Sequence, residues 1–187
     1  MTTWEEVEQV FDLEFPADYK QWCAEYPSLV IDEYLTVQNL LEASAARDQD
    51  LAIEMSGLLR ECTRAVNGGF RHRANDEVIT DDAERLTFFP EPCGVLVVGV
   101  SDNNELLCWR TTPTSTAWTI VATDNKYWNW WDSGSGFSAA LAGILSGRTI
   151  CPEFAEDFPD RSSAQRYRDT DDEGGYTLGP KRPWGAE

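Results

Sequence analysis

Basic side chains are scarce in this chain. Lys and Arg number 15 against 33 Asp and Glu, and the formal net charge is -18. A surface this negative repels phosphate backbones and anionic lipid, so nucleic acid and membranes are poor partners. Histidine is nearly missing. His72, the one example, lies in Phe70-Arg71-His72-Arg73 with no evident nucleophile or orienting partner, which argues against a histidine base. The five Cys residues form no C-x-x-C pair, so zinc ligation by nitrogen and sulfur has little material. Long apolar runs are absent, and no segment is long enough to span a bilayer. Met1-Thr2-Thr3-Trp4-Glu5-Glu6 lacks the basic and apolar regions of a signal peptide. There is no P-loop, no G-x-G-x-x-G and no G-x-S-x-G. No internal repeat is visible. No cofactor and no metal are expected.

What is present builds a core. The chain has 187 residues, 42% hydrophobic and 12% aromatic, with 8 Trp, which suits one folded domain. Trp buries a large area and still offers an N–H, so it serves cores and interfaces alike. The widely spaced Cys23, Cys62, Cys93, Cys108 and Cys151 read as reduced, mostly buried thiols of a cytoplasmic protein. The acidity attracts basic proteins by long-range steering, and it also keeps a protein soluble. The two readings are compatible.

Periodicity places the elements. Thr3 caps a short helix with Trp4, Val7, Val10 and Phe11 on one face. Pro16 opens a second helix with Phe15, Tyr19, Trp22 and Cys23 inward. Ser28–Ile31 and Tyr34–Val37 have strand composition, and Gln38 to Val66 reads as helical, ended by Asn67-Gly68-Gly69. Residues 70–85 resist assignment, and Leu86–Phe89 is a short strand candidate. Val95–Val100, the turn Ser101–Asn104 and Glu105–Arg110 form a hairpin whose apolar run implies cover on both faces. Ala117–Ala122 and Tyr127–Trp131 form a second pair, and Phe137–Leu145 a last helix. Residues 1–159 are read as the domain, and 160–187 as an acidic, then Gly/Pro-rich, poorly ordered tail tethered by Tyr167 or Trp184.

Few residues offer chemistry. Asp102-Asn103-Asn104-Glu105 is similar to part of a calcium loop but lacks its glycine and terminal Glu, and hairpin turns favour Asp and Asn on backbone grounds alone. A carboxylate pair for hydrolysis is always found among 33 acids, so that signal discriminates nothing. Tyr127-Trp128-Asn129-Trp130-Trp131-Asp132 is the sharpest oddity. In a strand, Trp128 and Trp130 share one face and Trp131 takes the other. Either one face is core and the other displays aromatic surface for a partner, or both are covered.

Three segments together resemble the SUKH superfamily, which joins bacterial toxin-immunity proteins to a fungal regulator of cell-wall assembly. Phe15-Pro16-Ala17-Asp18-Tyr19-Lys20-Gln21-Trp22 resembles the family's L-P-x-D-Y-K-x-F/L lead-in to its second helix, with Pro27 where a glycine usually follows. Gly99–Trp109 is similar to the central hairpin, Asn104 standing for its turn glycine and Glu105 for the next acid. Phe137-Ser138-Ala139-Ala140-Leu141 is similar to the closing helix, without its acid. The likeness spans roughly the first four-fifths of the chain, the size of one domain.

The resemblance implies an α+β fold, a single domain with a central, mainly antiparallel sheet flanked by helices. It also implies a non-enzymatic, immunity-type protein that neutralises a cognate toxin, such as a basic nuclease or deaminase, by direct binding. Asp102, Glu105, Asp124, Trp128, Trp130, Trp131 and Asp132 are the candidate contacts, while Trp22 and Trp109 read as core. The alternatives are an intracellular scaffold or regulator of cell-wall or stress pathways, and a hydrolase using paired carboxylates.

Overall fold

A computed structural model describes residues 3–42, 49–50, 53, 57, 71–74, 77–79, 87–127, 129–159, 163–169, 176–178 and 182–183. The N-terminal helix α1 (Trp4–Phe11) starts at a reciprocal cap. The Thr3 side chain accepts from the Glu6 N–H, and the Glu6 carboxylate accepts from the Thr3 N–H at 2.7 Å. Helix α2 (Ala17–Glu25) follows Pro16, whose ring presets the φ of -57° found there. Phe15, Tyr19, Trp22 and Cys23 are all buried, as their spacing predicts. Helix α3 (Phe137–Leu145) buries Phe137, Ala140, Leu141 and Ile144.

Among the described residues eleven strands form one sheet. Its centre runs in the order β1 (Leu29–Ile31), β2 (Leu35–Val37), β5 (Val95–Ser101), β6 (Leu106–Arg110), β7 (Thr119–Thr123) and β8 (Asn129–Asp132), all antiparallel. Beyond β8 lie β3 (Arg71–Ala74), which joins it in parallel, and β4 (Glu77–Ile79). Beyond β1 lie β9 (Ser163–Asp169), then β10 (Tyr176–Leu178) and β11 (Arg182–Pro183), both paired to β9. The protein is thus a single α+β domain with a mainly antiparallel sheet.

Alternation along the strands splits the apolar residues between two faces. Ile31, Leu35, Val37, Leu96, Val98, Leu107, Trp109, Ile120, Ala122 and Trp131 join α1, α2 and α3 in the main core. Val95, Leu106, Cys108, Val121 and Trp130 form a smaller cluster with Phe88. At the centre of the main core the Tyr19 ring stands edge-on to Trp109 at 4.5 Å and to Phe137 at 4.9 Å. It therefore ties α2, β6 and α3 together.

Several sequence expectations change. Strand β8 starts at Asn129, and Ser115–Ala117 is a 3-10 turn before β7. Leu40 to Glu42 form a turn, while Gln49, Asp50, Ile53 and Gly57 are helical. Phe88 makes only an isolated bridge to Val95. The expected tail is corrected most: residues 163–169 pair with β1 because its outer edge leaves backbone groups to satisfy. Tyr167 sits within that strand, and Trp184 lies outside the described residues.

One irregularity is diagnostic. The β5–β6 register shifts between Val97 and Gly99, so Val98 is an extra residue in β5. A Cβ on Gly99 would stand 2.6 Å from the Thr36 carbonyl oxygen in the next strand. We predict that Gly99→Ala lowers unfolding free energy by about 1–3 kcal/mol in chemical denaturation. Gly57→Ala, where nothing lies within 4 Å of the added Cβ, serves as the tolerant control.

Candidate functional site

Register places three hairpin turns at the same end of the sheet. Leu35 pairs with Ser101 and Leu106 with Thr123, so the turns after β1, β5 and β7 adjoin. They recur at every second strand, about 10 Å apart. Each carries acid: Asp32 and Glu33, then Asp102 and Glu105, then Asp124. Asp32 and Glu33 both adopt φ of 58°, and the Tyr34 N–H donates to the Ile31 carbonyl at 3.0 Å. That is the primed turn a twisted hairpin prefers, built here from two acids instead of Asn-Gly. Asn104 takes φ 67°, a left-handed conformation that Asn tolerates better than most residues.

Tyr34 organises this rim. Its hydroxyl donates to Glu105 Oε2 at 2.9 Å and accepts from the Ala155 N–H at 2.8 Å. Its carbonyl accepts from the Asp102 N–H at 2.9 Å. The ring packs 4.6 Å from Phe158 and 6.0 Å from Phe154. The loop bearing Glu153, Glu156 and Asp157 is thereby drawn to the same end. Burial pushes the Tyr34 phenol up from 10 to about 12, partly offset by the Ala155 N–H. Burial likewise raises the Cys151 thiol to about 12.

The seven candidate contacts separate on this frame. Asp102 is exposed at the rim. Asp124 lies beside it, half-buried, accepting from Asn129 Nδ2 at 2.6 Å and from the Lys126 N–H at 3.2 Å. Glu105 is at the rim too but only 8% exposed, held by Tyr34, the Ser101 hydroxyl and its own turn, so its expected role as a direct contact is corrected. Asp132 sits at the opposite end of the sheet. It accepts from Arg110 Nη1 at 3.4 Å, Thr119 Oγ1 at 3.3 Å and the Gly134 N–H at 2.8 Å, which makes it an internal brace. The expectation of displayed aromatic surface is overturned at Trp130 and Trp131, which are 0% and 5% exposed. Each faces one of the two apolar clusters, so both faces of β8 are covered there. Trp128 lies outside the described residues.

A second acidic and aromatic place escaped the sequence reading. An open groove of about 330 Å³ runs between α2 and α3, lined by Asp18, Gln21, Trp22, Glu25, Tyr26 and the outer side of α3. Helix α3 has Gly136 at its N-cap and no side-chain cap of its own. Asp18 supplies one across the groove, Oδ2 accepting from the Ser138 N–H at 2.9 Å. The signal was present in Pro16-Ala17-Asp18 and Gly136-Phe137-Ser138, but their 120-residue separation hides it. Trp22 is buried, as expected of a core residue, yet it forms part of the groove wall. Among the described residues no group of three or more His, Cys, Asp or Glu is placed to hold a metal ion. Nor is any helix there long and apolar enough to cross a membrane.

Two substitutions test these networks. Tyr34→Phe leaves Glu105 without its phenol donor and should cost about 1–3 kcal/mol. Because the folded-state pKa of Tyr34 lies above its ordinary 10, its stabilisation is present below pH 10 and is lost as pH rises toward 12. Denaturation midpoints should therefore fall over that interval, and less steeply in Tyr34→Phe; equal slopes would refute the assignment. Asp18→Ala should cost about 1 kcal/mol through the lost cap of α3, read as a lower melting temperature.

Compared with family models, with curated proteins and with solved structures, this chain matches none, so its functional reading rests on its own residues.

Proposed function

We propose that this chain is an immunity-type binding protein that neutralises a basic protein toxin by direct contact. The observation that carries the reading is the rim. Three adjacent hairpin turns present Asp32, Glu33, Asp102 and Asp124 along one end of a rigid sheet, with Lys126 the one cation among the turn residues. Spaced carboxylates on fixed backbone match a surface evolved to grip phosphates, which carries Lys and Arg at comparable intervals. The net charge of -18 extends that attraction beyond the contact itself. The resemblance to the SUKH superfamily in the α2 lead-in, the β5–β6 hairpin and α3 points the same way. Such a protein acts in the cytoplasm, where its thiols stay reduced.

In this reading the rim blocks the toxin's nucleic-acid-binding face and makes no bond of its own. The direct test is to co-express the chain with the polypeptide encoded beside it and to measure growth and complex formation. Rescue and a complex are expected. The association rate should fall at least about tenfold between low salt and about 0.3 M salt, where exposed charges are screened. Asp102→Asn with Glu33→Gln should slow association several-fold and leave the fold intact. A partner that is not basic, or a rate indifferent to salt and to these changes, would overturn the proposal.

A further inference from the structure

We propose that the C-terminal strands β9–β11 form a strap that opens from β1 without unfolding the rest of the domain. The strap stands apart from the binding reading above and does not rest on it. Among the described residues it joins the rest of the sheet along one seam, where Leu29 pairs with Arg166, Val30 with Gln165 and Ile31 with Ala164. Strands β10 and β11 pair with β9 alone among the described strands, so they travel with it.

The two sides of that seam are held by different forces. Leu29, Val30 and Ile31 of β1 are all buried, and the turn at Asp32-Glu33 ties β1 to β2, whose Leu35 and Val37 lie in the main core. In β9, Ser163-Ala164-Gln165-Arg166-Tyr167-Arg168-Asp169, only Ala164 and Tyr167 are apolar. A strand of that composition has little apolar area to withdraw from water, so backbone pairing carries the attachment. Backbone hydrogen bonds exchange for bonds to water at a small net cost, whereas parting β1 from β2 opens the main core. Separation at β9 and β1 therefore requires less free energy than separation anywhere deeper in the sheet.

Closing is guided by an anchor. The chain approaches β9 from Phe158, whose ring packs 4.6 Å from Tyr34, and the Ala155 N–H donates to the Tyr34 hydroxyl at 2.8 Å. Phe154, just before, is buried in the main core. Tyr34 follows the turn that ends β1, so the anchor adjoins the end of the seam where Ile31 meets Ala164. An opened strap thus stays tethered at the end that sets its register. Opening bares the outer N–H and C=O groups of β1, a row able to pair with an extended strand, and closing covers them again.

The test is amide hydrogen exchange of the full chain, followed residue by residue by nuclear magnetic resonance. Successive residues of β1 send their N–H groups alternately to β9 and to β2. The β1 amides on the β9 side should exchange together with those of residues 164–166, at least about a hundredfold faster than the amides of β5 and β6 and with a weaker urea dependence. The β1 amides on the β2 side should remain as protected as β5 and β6. Phe158→Ala, which removes the ring from Tyr34, should speed the first group about fivefold relative to β5 and β6, and Asp18→Ala, which acts on α3, should change that ratio by less than about twofold. Outer β1 amides exchanging no faster than inner ones, or equal ratios in the two variants, would overturn the proposal.

Discussion

The Tyr19 ring is where the fold closes. It touches Trp109 from the sheet, Phe137 from the last helix and Trp22 from its own helix, all within 6.0 Å. Its hydroxyl, which an apolar core would penalise, donates to the Gln38 carbonyl at 2.7 Å. A single side chain thus supplies aromatic packing, worth about 0.5–1.5 kcal/mol per pair beyond buried area, and a polar anchor for the chain leaving β2. Asn39 extends the anchor, donating to the Cys23 and Tyr26 carbonyls at the end of α2. Once Tyr19 is seated, its neighbour Asp18 is aimed at the N-terminus of α3, and the groove between the helices has its shape.

With the core fixed on one side of the sheet, the turns at its end are free to carry charge. Acids in hairpin turns cost little where the backbone already demands turn residues, and Asp124 shows the benefit, since its carboxylate holds the turn it belongs to. Glu105 shows the limit. Buried beneath the rim, it is tolerated because Tyr34 and Ser101 donate to it. Acids at this end of the sheet therefore divide by burial: Glu105 sets geometry from within, while Glu33 and Asp102 stand exposed on the turns above it.

The parts legible in the sequence were those set by local rules. The Thr3 cap, the Pro16 start, the inward stripe of α2 and the extent of α3 follow from spacing and end chemistry, and the β5–β6 hairpin follows from an apolar run meeting Asp-Asn-Asn. What stayed hidden depended on register and on distant partners. Nothing local to Trp130-Trp131 says which face of β8 is covered; the pairing of β8 with β7 does, by setting one ring toward Val121 and the other toward the helices. Nothing local to Asp18 says that it caps a helix beginning after Gly136. Strand β9 has the polar composition of a tail, and its pairing with β1 is a matter of backbone, to which composition is a weak guide.

The same distinction explains why aromatic density is a poor guide to a contact surface in this chain. Eight Trp in 187 residues look like interface, yet Trp109, Trp118, Trp130 and Trp131 are all consumed by the two clusters. An aromatic ring is informative about binding only when it remains exposed beside a charge that the fold does not use. The Trp-rich strand does not meet that condition, since Trp130 and Trp131 are closed in by the two clusters.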